Sequence, residues 1–455
     1  MIELRRRIVA TTIAAVALVA AGCGANSEAA DQPRETITTT STVTATPTTD
    51  DVTTTDIGHV EVQTGAERLV MSGFAAIAGK RVGLISHQNS VVEGRHLADH
   101  LDAAEHVELV ALFGPEHGAR GDRDAGEYIE DSIDPLTRVP IFSLFGETRQ
   151  PTPDMLEGID VLLYDLQDVG ARYYTYISTM GLAMQAAASA NIEFVVLDRP
   201  NPLGGLVGGG VLDEDATSFV GLYPIPDTYG LTAGELALAA QANGWLPGIE
   251  SLQLSVVELV GWDASMLWDD TGLEWIAPSP ALTTADSALV YPATVYLEAT
   301  SLSYGRGTDR PFTLFGAPWL DAPNVVRELT ARSLPGFEFT ATTVTPRLLD
   351  SMTVEPAFID SEINAVQIDV IDGPLARPTE LGVHLLDILI SEGRAAGIDV
   401  LSRPEWLDQL SGSTRLREAL EADTPALQII DRSGAEVVPL SKELQEHHLY
   451  ARSSS

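Results

Sequence analysis

From Gly65 onward, short and largely apolar runs alternate with segments of helical spacing. Residues 81–86, 107–113, 139–144, 161–165 and 194–198 are apolar and rich in β-branched side chains, the pattern of strands buried on both faces. Helices are predicted between them over 94–104, 153–158 and 175–190. Another is predicted over 232–242, where Thr232 and Glu235 have the spacing of a capping box. This alternation predicts an α/β fold built on a doubly wound, mostly parallel sheet. A further strand is expected over 252–259. From Pro278 the pattern is less regular, with strands expected over 294–297, 337–344 and 366–370 and helices over 378–393 and 416–421. That change predicts a second, smaller α+β domain, and no internal repeat is visible.

The N-terminal pattern is different. Arg5, Arg6 and Arg7 precede an apolar run of 14 residues, 8–21, which is too short to span a bilayer and suits a secretory signal. The run ends in Ala20-Ala21-Gly22-Cys23, similar to the processing box of bacterial lipoproteins, so Cys23 is the expected lipidation site. Between residues 36 and 55, 12 of 20 positions are Thr, and no apolar periodicity is present. Such a stretch cannot bury a core and predicts a disordered tether. The expected organisation is a signal over 1–23, a tether over 24–63, a catalytic domain over 64–277 and a second domain over 278–455. The expected location is extracytoplasmic, lipid-anchored at the cell membrane.

The 455 residues include 65 Asp and Glu against 27 Lys and Arg, a formal net charge of −38. So acidic a chain repels phosphate backbones and anionic lipid surfaces, which excludes nucleic acid as a partner. Cys23 is the only cysteine, so no internal disulfide and no multi-cysteine metal site can form. The stretch from Gly73 to Lys80 lacks the spacing and the following Ser or Thr of a phosphate loop, and no Gly-x-Gly-x-x-Gly follows the first strand. Neither a Ser-x-x-Lys pattern nor a Gly-x-Ser-x-Gly elbow occurs. His96 and His100 have metal-pair spacing, but Leu97 stands where a zinc protease needs glutamate, and solvated helix histidines are the expectation. Neither a cofactor nor a metal is expected.

In an open parallel sheet, ligands bind beyond the carboxyl ends of the strands. The second strand runs into Gly114-Pro115-Glu116-His117-Gly118, the fourth into Asp165-Leu166-Gln167-Asp168 and then Arg172-Tyr173, and the fifth into Asp198-Arg199-Pro200-Asn201. Loop caps and ion pairs account for any one of these residues alone. As a set framed by Gly and Pro and crowded by tyrosines, they suit acid–base work on a hydroxyl-rich substrate. A later loop, Glu298 through Phe312 with Arg306, has the same character and is placed to close over the site from the second domain.

These motifs carry a resemblance. Gly114–Gly118, Gly121 to Glu127, Asp165–Tyr176, Val196–Gly205 and Gly305–Trp319 resemble, in the same order, the NamZ/YbbC family of peptidoglycan exo-β-N-acetylmuramidases. The resemblance runs from about Gly65 to the C-terminus. It implies a Rossmann-like domain and a C-terminal domain with a cleft between them. The implied activity is release of N-acetylmuramic acid from the non-reducing ends of peptidoglycan fragments. It implies Glu116 as the catalytic acid and brings Asp165, Asp168, Arg172, Asp198, Arg199, Asn201 and Glu298 to the cleft, alongside His117 and Tyr173. Either Asp165 or Glu298 suits the second carboxyl group, and Arg172, Arg199 or Arg306 suits the lactyl carboxylate of the substrate. The chain departs from the family at Asp227-Thr228-Tyr229, where Arg and His are usual. Further departures are Ser86-His87-Gln88-Asn89, Ala281, Ala299, Ser301 and Tyr304. These departures motivate an alternative: a non-catalytic glycan-binding lipoprotein with a degenerate pocket.

Overall fold

The computed structural model describes residues 61–121, 130–349, 352 and 354–452. The signal, Cys23, the Thr-rich tether and the Ala125-Gly126-Glu127 motif lie outside the described residues. The described chain falls within one contact unit, Gly58–Ser455.

The apolar runs assemble into a seven-stranded sheet. Its strands in chain order are β1 (Arg81–Ser86), β2 (Glu108–Gly114), β3 (Ser132–Ile133), β4 (Pro140–Ser143), β5 (Val161–Asp165), β6 (Glu193–Leu197) and β7 (Leu254–Val257). Their spatial order is β7-β6-β5-β1-β2-β4-β3. Every pairing is parallel except that of β3 with β4. Every residue of β5 is buried, as its unbroken apolar run requires. The chain moves outward from β1 through β2 and returns to the other side of β1 as β5. Strand order therefore reverses at β1, and the loops leaving β2 and β5 diverge there to open a crevice.

Helix Thr175–Ala190 follows β5 and is buried over most of its length. Helix Ala233–Ala242 begins with the expected capping box, in which Glu235 N donates to Thr232 Oγ1 and Thr232 N donates to Glu235 Oε2. A second sheet of three antiparallel strands, β8 (Leu314–Ala317), β9 (Phe337–Val344) and β10 (Ile363–Val370), has the order β8-β10-β9. The main core runs without a break from the large sheet into the later helices, joining Tyr164 and Tyr173 to Tyr291, Tyr296, Leu386 and Leu407. The large mixed sheet with flanking helices and the smaller second sheet match the expected fold class.

Three local expectations are corrected. Residues 294–297 are not a strand: they end helix Ala285–Thr294 and begin the 3-10 turn Val295–Ala299, because a short apolar run buried on all sides has no decisive period. Residues 153–158 form turns, bounded by Pro153 and by Gly158 at φ 82°. The helix expected over 94–104 shortens to Leu97–Asp102, since Arg95–His96 pairs with Val91–Val92 and His96 becomes the N-cap.

Candidate active site

The loop after β2 is a tight turn. Gly118 N donates to Pro115 O at 2.9 Å, and His117 and Gly118 both take left-handed backbone, with φ 75° and 84°. Gly114 is required there, because a Cβ would come within 2.7 Å of Ala119 N. The turn presents Glu116 at the start of helix Thr175–Ala190. Thr175 Oγ1 donates to Glu116 Oε2 at 2.9 Å, and the Tyr176 hydroxyl lies 3.2 Å from the Glu116 carbonyl. His117 is buried beneath, its ring 6.1 Å from that of His87.

Glu298 arrives from the 3-10 turn after helix Ala285–Thr294. Its Oε2 accepts from Trp406 Nε1 at 3.2 Å, and its carbonyl accepts from Arg403 Nη1 at 3.3 Å. Burial pushes the Glu298 carboxyl up to about 7, with the negative charge of Glu116 acting in the same direction. The Trp406 N–H, Arg306 and Arg403 oppose that rise. Glu116, Glu298, Tyr173 and Thr175 line one cavity of about 330 Å³, whose wall also includes Phe145, Arg149, Phe219 and Trp406. A larger cavity of about 530 Å³ lies beside strand Val207–Val211 and helix Ala426–Leu444. It does not contain this acid pair. Size alone therefore points away from the strand ends, and the chemistry points to the smaller cavity.

The other expected residues form a buried network instead of lining that cavity. Asp165 is fully buried and bound by Arg199 Nε at 2.6 Å, while Arg199 Nη2 donates to Asn89 O at 2.8 Å. Arg172, also fully buried, donates from Nη2 to Asp227 Oδ1 at 2.5 Å and to Leu410 O at 3.2 Å. Asp168 accepts from Gly170 N at 2.7 Å and from the Tyr229 hydroxyl, and burial pushes its carboxyl up to about 7. Asp198 is pushed up to about 6 by burial and accepts from Thr232 Oγ1, Gly234 N and the Tyr450 hydroxyl at 2.7, 2.9 and 2.6 Å. Asn201 donates to Leu231 O and accepts from Leu203 N, each at 2.9 Å. Arg306 hydrogen-bonds Tyr304 and lies in the field of Glu298.

His96 and His100 are half-buried and hydrogen-bonded to backbone, which corrects the expectation of solvated helix histidines. His96 Nδ1 accepts from Ala98 N, and the Nε2 atoms of His96 and His100 face the carbonyls of His87 and Val92 at 3.0 and 2.9 Å. The lost Arg and His fall at Thr228, whose Oγ1 donates to Gly208 O at 3.4 Å, and at Tyr229, whose hydroxyl holds Asp168, while the adjoining Asp227 holds Arg172. Among the described residues, none of 227–229, 281, 299, 301 or 304 lines the cavity of the acid pair. Trp406, Arg149, Phe145 and Phe219 were missed because no motif surrounds them; only the fold brings them to the strand ends.

Family models of the exo-β-N-acetylmuramidase NamZ match residues 82–286 with their N-terminal part and 289–450 with their C-terminal part. The chain is 38% identical over 392 residues to the peptidoglycan β-N-acetylmuramidase NamZ of Bacillus subtilis strain 168, covering 86% of this chain and 92% of that protein. Two solved DUF1343 family proteins of Bacteroides fragilis superpose with TM-scores of 0.79 and 0.71 at 36% and 29% identity. Each comparison covers 86% of this chain and all of the other.

Proposed function

The chain belongs to the NamZ family of exo-β-N-acetylmuramidases, and from that premise we propose that it is an exo-acting glycoside hydrolase. Its proposed reaction is release of N-acetylmuramic acid from the non-reducing ends of peptidoglycan fragments. The observation that carries this reading is the facing of Glu116 and Glu298 into one cavity at the strand ends. Glycoside hydrolysis needs one carboxyl group to protonate the leaving oxygen and a second to activate water or attack the sugar.

The partners of the two acids favour a division of labour. A hydroxyl donates or accepts, so Thr175 serves Glu116 both with and without its proton. That suits the general acid, which must cycle between the two states. The Trp406 indole only donates, and Arg306 and Arg403 add positive charge, so the surroundings of Glu298 serve a carboxylate. Glu298 therefore takes the role of second carboxyl group. Asp165, held by Arg199, takes a structural one. Tyr173, whose hydroxyl is anchored on Pro292 O at 3.0 Å, supplies a rigid aromatic wall for the sugar. The separate buried contacts of Asp165, Asp168, Arg172, Asp198, Arg199 and Asn201 fix the loops that present these groups, with His117 supporting the turn of Glu116.

We further propose a catalytic domain over 64–277 completed by a second domain over 278–455. Residues 24–63 would tether this body to the membrane through a lipid on Cys23. The test of the reaction is product identification. Muropeptide fragments incubated with the protein should yield free N-acetylmuramic acid by mass spectrometry, and Glu116→Gln should yield none. Internal cleavage into larger oligosaccharides would contradict the exo-acting assignment.

A further inference from the structure

A muramyl sugar differs from a glucosaminyl sugar by an anionic lactyl ether, and the cavity that would receive it already holds two carboxyl groups. Something cationic must offset that repulsion. Two of the three arginines expected for this task are already engaged: Arg172 with Asp227, and Arg199 with Asp165. The third, Arg306, is engaged with Tyr304 and Glu298 and does not line the cavity among the described residues.

Arg149 does line it. Its guanidinium carbon lies 4.2 Å from the centre of the Phe219 ring and 5.9 Å from that of Phe145, and both rings line the same cavity. Stacking on an aromatic face holds the guanidinium plane while leaving its N–H edge free to donate. The backbone beneath is fixed: Gln150 N donates to Thr148 Oγ1 at 3.1 Å, Thr148 Oγ1 donates to Gln150 O at 2.7 Å, and Gln150 Nε2 donates to Leu182 O at 3.2 Å. Arg149 is exposed, and it forms no ion pair among the described residues. In a chain where acids outnumber bases 65 to 27, a stacked guanidinium with no ion pair among the described residues, at a cavity lined by two carboxyl groups, has the chemistry to receive a carboxylate.

We propose that Arg149, stacked on Phe219 and Phe145, binds the lactyl carboxylate and sets the preference for N-acetylmuramic acid over N-acetylglucosamine. This inference rests on the glycosidase reading of the same cavity, and its test separates the two. Equilibrium binding of the two free sugars is measured on Glu116→Gln, with and without Arg149→Gln. Loss of a charge-assisted pair predicts affinity for N-acetylmuramic acid roughly 10- to 100-fold weaker, with the ratio between the two sugars collapsing. Arg149→Lys, which keeps the charge and loses the fork, should fall between. In the otherwise unchanged enzyme, Arg149→Gln should raise KM for a chromogenic β-N-acetylmuramide far more than it lowers kcat. Melting curves matched to the parent establish that the variants fold. An unchanged affinity ratio overturns the role of Arg149 and leaves the hydrolase standing. A ratio that depends on Arg149 in a protein that never hydrolyses the muramide supports Arg149 and overturns the hydrolase.

Discussion

At the scale of single residues, activity turns on the protonation of Glu298. Burial holds its carboxyl at about 7, so near neutrality a large part of the population carries a proton that a working carboxylate must lose. The proton leaves as pH rises, so kcat/KM should climb between about pH 6 and pH 8. The Trp406 N–H pulls Glu298 downward, so removing it in Trp406→Phe should move this limb to higher pH. A profile that falls through the same interval would exchange the roles and make Glu298 the proton donor. Much of this chemistry was legible in the residues. Glu116 stands in a Gly-Pro frame at a strand end, and Glu298 in a loop of matching character. The choice between Asp165 and Glu298 was not legible, because only the fold shows that Arg199 is within 2.6 Å of Asp165. The wall of Arg149, Phe145, Phe219 and Trp406 was hidden for the same reason: its members are joined by space and not by spacing.

At the scale of elements, strand ends position the chemistry and the C-terminal segment secures them. Leu449 N donates to Glu235 Oε1, the Tyr450 hydroxyl to Asp198 Oδ2, and Arg452 Nη2 to Glu235 Oε2, at 2.9, 2.6 and 2.7 Å. Asp198 and Glu235 are both fully buried, so these bonds satisfy carboxyl oxygens that water cannot reach. Tyr450→Phe should therefore lower stability by about 1–3 kcal/mol in urea titration. A loss indistinguishable from zero would mean that the segment is only draped over the domain. The parallel strands were legible because burial on both faces leaves an unbroken apolar run. Helix Ala426–Leu444 was not, since it contains Gly434 and Pro439, residues that ordinarily punctuate chains. Helix Ala285–Thr294 carries Pro292 and was masked in the same way.

At the scale of the molecule, a strongly acidic body is joined to a cationic, apolar N-terminus that ends at the sole cysteine. The proposed lipidation there predicts that Cys23→Ala shifts the protein from the membrane fraction to the soluble one. Retention in the membrane would contradict the anchor and leave the enzymology intact. Glu116 follows strand β2 and Glu298 sits in the 3-10 turn Val295–Ala299, so the fold draws into one cavity two acids that are 182 positions apart in the chain. The reading of the chain as a muramidase with Glu116 as its acid is decided by release of chromophore from a synthetic β-N-acetylmuramide, compared with the β-N-acetylglucosaminide, by the wild type and Glu116→Gln. The wild type should release chromophore from the muramide, with a fall of at least about 100-fold in Glu116→Gln. Equal rates in the two proteins would contradict it, as would release from the glucosaminide alone.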